Sequence, residues 1–583
     1  MPVMSGHHFL IRNLSQIRLD CAPLLSSSSW MNILKDRQRV ILAFIILSAL
    51  ALRLWGVTNP LADFHEFRQT YTALFAKFFY LKGMHILSPD IGVINYLNVS
   101  EFQLYPFIVA LLYKIFGLHD IIGRLVSIFF SCLSVWLLGL TVAKFFTKRA
   151  GLIASALFAI LPVLVFYGRT FMLESLMIFL AISAIYCTAR YVDEGGWKFF
   201  LLASGSAALA LLVKIPSIYL LLPLGFLFFN RYGFKSAIRP QVIVFFLVVL
   251  LPAFWWYYLY PRYFAAGIMD LRGATAYTDP TMEKVYQMQR MNPDTWSELF
   301  FNRFGQLYLA FAGFLFLVLD LGFRLIDGIT QLVKGRAGVG LPEAQLSYES
   351  GKLKNRHGYS REQLVFIAWA LGVMGFVVYF ITPNMIHEYY QLPILPPFIA
   401  LIAGYLDWIW KRYDEKKTKI APVIFIVHAV LFAGILPYSF VKVSDRLKVN
   451  PLYYGFGQRI KAVVPADGLI IVMDPQPRTE VFYDADRSGY ILVAPLLSMG
   501  SGTFIPLPNA ESILEKQIEE FHAKGGRYLV TPYSQFSTYF PEIVKKLQSR
   551  HPDLLKNWKS QPGELTMPDG FPGFVFDLDT RVR

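Results

Sequence analysis

Apolar runs long enough to cross a bilayer recur from residue 40 to about residue 440, then stop. Crossing ~30 Å of hydrocarbon takes about 20 largely apolar residues wound as a helix, the form that satisfies every backbone polar group without water. The runs fall near 40–57, 120–146, 150–168, 171–190, 198–213, 215–230, 241–260, 306–332, 363–381, 391–410 and 420–439. The pair at 198–213 and 215–230 is short, and reads as a tight hairpin or one bent element. Charged residues make up 16% of the 583 positions, well below the quarter or so of an ordinary soluble protein. The pattern specifies a polytopic α-helical membrane protein of about eleven spans.

The net charge of +15 is distributed in a way that argues against nucleic-acid binding. Lys and Arg gather in short loops: Lys35, Arg37 and Arg39; Lys144, Lys148 and Arg149; Arg231, Lys235 and Arg239; Lys334 to Arg361; and Lys411 to Lys419. With an odd number of spans, all five clusters share one side, which the positive-inside rule makes cytoplasmic. Residues 1–39 are then a cytoplasmic segment, 40–440 the transmembrane domain, and 441–583 an external domain. The first 30 residues show no cleavable signal pattern, so Val40 to Val57 reads as a retained anchor. Cys21, Cys132 and Cys187 form no disulfide framework and no Cys-x-x-Cys metal motif.

Two external segments stand out, 58–119 and 261–305. The first carries amphipathic stretches at 64–82 and 103–116. The second is rich in Met, Tyr and charge and reads as a lid. Beyond residue 441 short strands alternate with helices: strands at 468–474, 527–532 and 573–577, helices at 510–523 and 541–549. This is a small α/β domain.

Ionisable residues cluster where the spans meet the external side. Asp63-Phe-His-Glu-Phe-Arg-Gln69 follows the first span, and charge at that depth demands a partner or a task. Helical spacing puts His65, Arg68, Gln69 and Thr72 on one face, with Asp63 and Glu66 on an adjacent edge. A solvated helix with balanced Glu66 and Arg68 charges accounts for the same spacing. Glu101 precedes the helix containing Pro106, where a first-turn carboxylate also suits the dipole. Arg169 and Glu174 flank the turn between the third and fourth spans, either as chemistry or as an ion pair. Lys214 lies at an external junction, where a snorkelling lysine fits equally. His387, Glu388, Tyr389 and Tyr390 open the tenth span.

The order of these motifs resembles the C-type (GT-C) polytopic glycosyltransferases of the family 39 group. These include protein O-mannosyltransferases and bacterial lipid A aminoarabinose transferases. The resemblance rests on Asp63 after span one, Glu101 through Gly117, Arg124 introducing the next span, Arg169 with Glu174, and the Tyr-Tyr-x-Leu-Pro-x-x-Pro-Pro stretch from Tyr389 to Pro397. It implies a transferase of the bacterial inner membrane with its external domain periplasmic. The donor would be a polyprenyl-phosphate-linked sugar, the acceptor a hydroxyl on a lipid, glycan or protein, and no cofactor is expected. Asp63 would be the base, acting by single displacement with inversion, with Glu101 and Glu174 beside it. His65, Glu66, Arg68, Gln69, Arg169, Lys214, His387, Tyr389 and Tyr390 would bind substrate, Arg68 and Arg169 taking the phosphate. Two departures stand out: Phe102 follows Glu101 where relatives have lysine, and Phe64 follows Asp63 where many have glutamate. Asp63 with His65 is a possible divalent-ion pair, although no clear ligand set is present. A lipid-linked-sugar transporter is the alternative, but it should show mid-membrane charges or paired repeats.

Overall fold

Helices form at all eleven apolar runs, as a backbone immersed in hydrocarbon requires. The computed structural model describes residues 37–95, 101–260, 287–336, 360–414, 421–474, 476–500, 503–531, 539–556 and 573–581. The first helix is α1 (Arg37–Leu54), followed by two external helices, α2 (Glu66–Lys82) and α3 (Leu104–Phe116). The bundle continues with α4 (Asp120–Phe145), α5 (Lys148–Ile160), α6 (Pro162–Tyr167), α7 (Glu174–Glu194) and α8 (Trp197–Val213). Next come α9 (Leu221–Tyr232), α10 (Pro240–Phe254), α11 (Ala312–Arg336), α12 (Leu364–Tyr379), α13 (Leu395–Asp414) and α14 (Ala421–Arg446). Among the described residues, five helices are long and apolar enough to cross a membrane, and a sixth such span results if Pro293–Tyr308 and Ala312–Ile326 are joined across their 118° bend.

The short pair of runs proves to be two helices with a break. Lys214 is extended (φ −156°, ψ 111°) and leads into a 3₁₀ turn, Ile215–Leu220, that carries Pro216. The α8 helix packs on α7 and α10, while α9 turns to α12. A second break has a chemical remedy. Pro162 has no N–H to give the Phe158 carbonyl, so the run expected at 150–168 splits into α5 and α6. Arg53, wholly buried near the end of α1, supplies the missing donors. Its guanidinium donates to the carbonyls of Phe158 (3.1 Å), Ala159 (3.1 Å), Leu164 (3.0 Å) and Ala49 (3.1 Å), and to Ser131 Oγ (2.7 Å). A Cβ on Gly168 would lie 2.5 Å from the Arg53 Nε, so only glycine permits this approach.

Residues 287–308 correct the reading of 261–305 as a loop. Residues 261–286 lie outside the described residues, but 293–308 are helical, as Pro293–Ser297 followed by π-helical Glu298–Tyr308. Asn292 caps this helix through Asp294 N (2.9 Å), with Pro293 at its first position.

The C-terminal region contains α15 (Pro451–Val463), β1 (Ile470–Asp474), α16 (Thr479–Ala485) and β2 (Gly489–Val493). A hairpin of β3 (Leu496–Gly500) and β4 (Thr503–Pro506) precedes α17 (Ala510–Ala523), β5 (Tyr528–Thr531), α18 (Pro541–Arg550) and β6 (Phe574–Asp577). The main sheet has order β2-β1-β5-β6, with β1 parallel to β2 and β5, and β6 antiparallel to β5. The expected strands and helices are present, and β2, α15, α16 and the hairpin are additions. This domain docks on the first external segment. Val93 bridges to Gly489 in parallel, and Asn95 exchanges hydrogen bonds with Ile491 (2.7 and 2.8 Å). Phe75 and Phe79 of α2 share an apolar core with Phe456, Val472 and Phe482. Gly92 (φ 73°) lies so near Phe78 that a Cβ would be 2.1 Å from its ring.

The Arg53→Met variant is expected to lose about 3 kcal/mol or more, since it strands buried carbonyls and forfeits charge-assisted hydrogen bonds. A lower thermal midpoint of the purified protein in detergent, only partly restored in Arg53→Lys, is the measurement that checks this.

Candidate active site

The loop leaving α1 wraps around an arginine. From α4, Arg124 donates to the carbonyls of Gly56 (3.2 Å), Val57 (3.1 Å) and Pro60 (3.0 Å) and to that of Asn59. The same guanidinium reaches Asp63 Oδ2 at 3.2 Å. Arg169, from the turn between α6 and α7, pairs with that oxygen and donates to Gly56 O at 2.7 Å. Gln69, on α2, donates to Asp63 Oδ1. The Asp63 side chain has no exposed surface.

These contacts recast two expected roles. A general base must reach the proton it takes, and Asp63 has both oxygens engaged beneath the surface. Arg169 is likewise 1% exposed and committed to Asp63, so it does not face a substrate phosphate. Asp63, Gln69, Arg124 and Arg169 form a buried anchor that fixes the first external segment to α4 and to the α6–α7 turn. The alternative pairing of Arg169 with Glu174 is not adopted.

Above the anchor is a polar ring. His65 is the N-cap of α2 in the left-handed conformation (φ 63°, ψ 38°), so its side chain departs from the face that Arg68 and Gln69 begin. Its ring lies 5.0 Å from that of Tyr389, 6.0 Å from Tyr167 and 6.3 Å from His387. Three carboxylate–cation pairs surround these aromatics. Arg68 pairs with Glu101, which lies two residues before the N-cap of α3. Lys214, held at the break after α8, pairs with Glu174 at the start of α7, its ammonium 4.5 Å from the rings of both Tyr389 and Tyr390. Arg446 donates to both oxygens of Glu388 (2.8 and 2.9 Å), which also accepts from Tyr167 Oη (2.8 Å). Arg446 closes α14 and was not legible as a site residue, because Asp445-Arg446 reads as the ordinary charged end of a span.

Burial lowers the basicity of both histidines. The imidazoles of His65 and His387 are pushed down to about 4, with Glu388 and Glu174 opposing the effect at His65. Both are therefore neutral at pH 7. The His65 residue remains partly exposed, while its Nε2 is buried and has no hydrogen-bond partner. Lys214 is also lowered by burial, against the pull of Glu174. Among the described residues, no three His, Cys, Asp or Glu side chains converge as metal ligands.

Glu66 departs from its expected place among the substrate-binding groups. It is 8% exposed and faces α16, where Asp484 and Glu480 add to the burial that pushes its carboxyl up to about 10. Glu480 is raised by burial to about 7, against Arg478, and Asp484 is raised well above the usual range. Consecutive helical residues lie about 100° apart, so Glu66 and Arg68 serve different neighbours.

The dolichyl-phosphate-mannose-protein mannosyltransferase family matches residues 103–256, roughly a quarter of the chain. That segment includes Arg124, Arg169, Glu174 and Lys214. ArnT from Cupriavidus metallidurans, bound to undecaprenyl phosphate, is similar with a TM-score of 0.57 at 11% identity, over 94% of this chain and 98% of ArnT. The protein has a C-type glycosyltransferase fold. The apo form of that ArnT gives 0.55 at 12% identity, over 92% of this chain and 97% of the other. The Archaeoglobus fulgidus oligosaccharyltransferase, with zinc and sulfate, gives 0.52 at 13%, over 84% of this chain and 67% of the other. No curated protein sequence matches significantly. In this C-type fold the α/β region falls largely inside the alignment with ArnT, since so little of the chain is left uncovered.

Asp63→Asn is expected to cost about 3–5 kcal/mol, because Arg124 and Arg169 are left as uncompensated buried charges. The thermal midpoint should fall, and recover in part when Arg169→Met is added. A second outcome concerns pH. Folded Glu66 holds its proton up to about pH 10, whereas the unfolded group releases it near 4.5. Stability from this contact is present below the unfolded value and falls as pH rises toward 10. Glu66→Gln should flatten the decline in thermal midpoint between pH 6 and pH 9.

Proposed function

We propose that this protein is a membrane glycosyltransferase. It moves a sugar from a polyprenyl-phosphate-linked donor to an acceptor hydroxyl at the external membrane face. The observation that carries this reading is the polar ring: His65, His387, Tyr389 and Tyr390 bounded by Arg68–Glu101, Lys214–Glu174 and Arg446–Glu388. It sits where the ends of α7, α8 and α14 meet the external helix α2. Support also comes from the mannosyltransferase family match and from the fold shared with an ArnT that binds undecaprenyl phosphate. The positive-inside distribution puts the ring on the extracytoplasmic side.

The chemistry required is modest. The acceptor oxygen attacks the anomeric carbon, the bond from that carbon to the phosphate oxygen breaks, and the phosphate leaves with the electron pair. His65 takes the hydroxyl proton in this reading, in place of Asp63. It is neutral and partly exposed, its buried Nε2 has no hydrogen-bond partner, and its basicity resembles a carboxylate's. Arg68, Lys214 and Arg446 stabilise charge developing on the phosphate; a dry setting strengthens that effect. Arg68 and Arg446 retain 14% side-chain exposure each and meet phosphate oxygens in a fork, while Lys214 is the deeper point charge. Glu101 and Glu388 keep these cations aimed and accept sugar hydroxyls. Asp63 is a positioning residue: it holds the loop from which His65 projects. Acceptor class, whether lipid, glycan or protein, is set by the surface around the ring and by the docked α/β domain.

Purified protein with a defined polyprenyl-phosphate sugar tests the assignment through release of polyprenyl phosphate. His65→Gln should lower kcat about a hundredfold or more, with an unchanged thermal midpoint and unchanged donor binding. Arg68→Ala should instead raise the donor KM. Full turnover in His65→Gln would remove His65 as the base, and absence of any donor binding by the wild type would remove the transferase reading.

A further inference from the structure

Much of the polar ring rides on a segment whose helical ladder is broken. Between α12 and α13 the chain makes a short helix, Ile381–Ile386, and then a 3₁₀ turn, Glu388–Ile394, with His387 extended between them (φ −121°, ψ 99°). The break delivers His387, Glu388, Tyr389 and Tyr390 in succession to His65 and Lys214. Side chains from residues 289–308 secure this segment. Arg303 donates to the carbonyls of Asn384 (2.6 Å) and Met385, and Tyr308 Oη donates to the Glu388 carbonyl. Thr382 Oγ1 meets Gln289 Oε1 at 2.7 Å, while Gln391 Nε2 donates to the Asn384 carbonyl at 2.7 Å. A guanidinium presents its N–H groups in a fixed fork, so it sets both the distance and the direction of two consecutive carbonyls.

The helix that supplies Arg303 is itself held in a costly conformation. Ala310 and Phe311, which join it to α11, are both left-handed (φ 52° and 55°), a region that a bulky side chain rarely enters. The 118° bend between Pro293–Tyr308 and α11 falls at this pair. Leu299, Phe304 and Tyr308 are buried, and the helix packs on α6, whose Tyr167 donates to Glu388 Oε1. Strain of this kind persists only where surrounding contacts impose it, and it gathers at functional sites. The polar contacts that impose it here end on the segment that carries the ring.

We propose that Arg303 is a positioning residue of the transfer site: with Tyr308 it sets the His387–Tyr390 turn, and through that turn the placement of Lys214 and Arg446 toward the donor phosphate. The inference rests on the transferase reading of the ring. Lys214 stands 4.5 Å from the rings of both Tyr389 and Tyr390, and Arg446 donates to both oxygens of Glu388. Displacing the turn therefore moves the partners of two cations at once. Arg303 itself stays out of the chemistry, because its terminal nitrogens are engaged by the Asn384 and Met385 carbonyls and its Nε lies 3.5 Å from Glu298 Oε1.

Purified full-length protein carrying Arg303→Ala, Arg303→Lys or Tyr308→Phe tests the assignment, with a defined polyprenyl-phosphate sugar as donor and amide hydrogen exchange read over residues 381–394. Misplacement remote from the reacting atoms can cost about a hundredfold. Arg303→Ala should lower kcat/KM for the donor by about tenfold to a hundredfold, chiefly through KM, and should speed exchange over 381–394 alone. Arg303→Lys should recover part of the loss. Tyr308→Phe, which keeps the ring and removes one donor, should shift KM in the same sense by a smaller factor. Asn292→Ala removes the N-cap of the same helix and should lower the thermal midpoint with the donor KM unchanged. Unchanged donor kinetics in folded Arg303→Ala, or an equal KM shift in Asn292→Ala, would overturn the proposal. Absence of donor binding and turnover in the wild type would overturn the transferase reading, whereas exchange over 381–394 unaltered by Arg303→Ala would overturn the hold on the turn, so the two failures read apart.

Discussion

Inside a low-dielectric bundle a carboxylate with no surface must be met by charge supplied from the protein itself, and Asp63 is met by two guanidinium groups. Neither arginine belongs to its own segment. Arg124 comes from α4 and Arg169 from the turn before α7, so the ion pairs determine where the first external segment lies. Carbonyls from Gly56 to Pro60 take further donors of the Arg124 terminal nitrogens, which leaves the loop little freedom. His65 follows two residues later, at a left-handed turn that only this fixed approach sets up. The geometry of the polar ring is thus inherited from an electrostatic knot buried beneath it.

The ring differs from the knot in what it leaves available. Arg68, Arg446, Glu101 and Glu388 are paired but each keeps some surface. The two arginines of the ring, each held by a single carboxylate, keep surface of their own, whereas Arg169 and Arg124 are buried against Asp63. Aromatic rings between the pairs exclude water and strengthen every charge interaction there. That division between buried and accessible pairs separates the groups that hold the site from those that line it.

The bundle manages its irregularities by the same principle. Pro162 deprives a carbonyl of its partner, and Arg53 replaces the missing donor from a different helix. The break at Lys214 does the reverse: an interrupted helix delivers a lysine to Glu174. The α/β domain is bound by backbone pairing between Val93 and Gly489 and by α16 lying on α2, so it shares a core with the external helix that carries Arg68. Protonated carboxyls at this contact, Glu66 and Glu480 among them, make the docking sensitive to rising pH.

Hydrophobic periodicity and length were sufficient for the eleven helices, because a backbone in hydrocarbon has one solution, and alternating apolar runs marked β1, β5 and β6 in the tail. The polar clusters around Asp63, Glu101, Glu174, Lys214 and His387 were visible as charges too costly to bury unpaired. Which charge meets which was not. Arg68 and Glu66 are two residues apart yet serve different neighbours, and Arg446 joins Glu388 across 58 positions. Capping by Asn292 and Pro293 was readable locally, but the charge content of 261–305 masked it. A sequence specifies how much charge must be neutralised; only tertiary structure chooses the partners, because pairing depends on distance through space, and a turn of one residue redirects a side chain by about 100°.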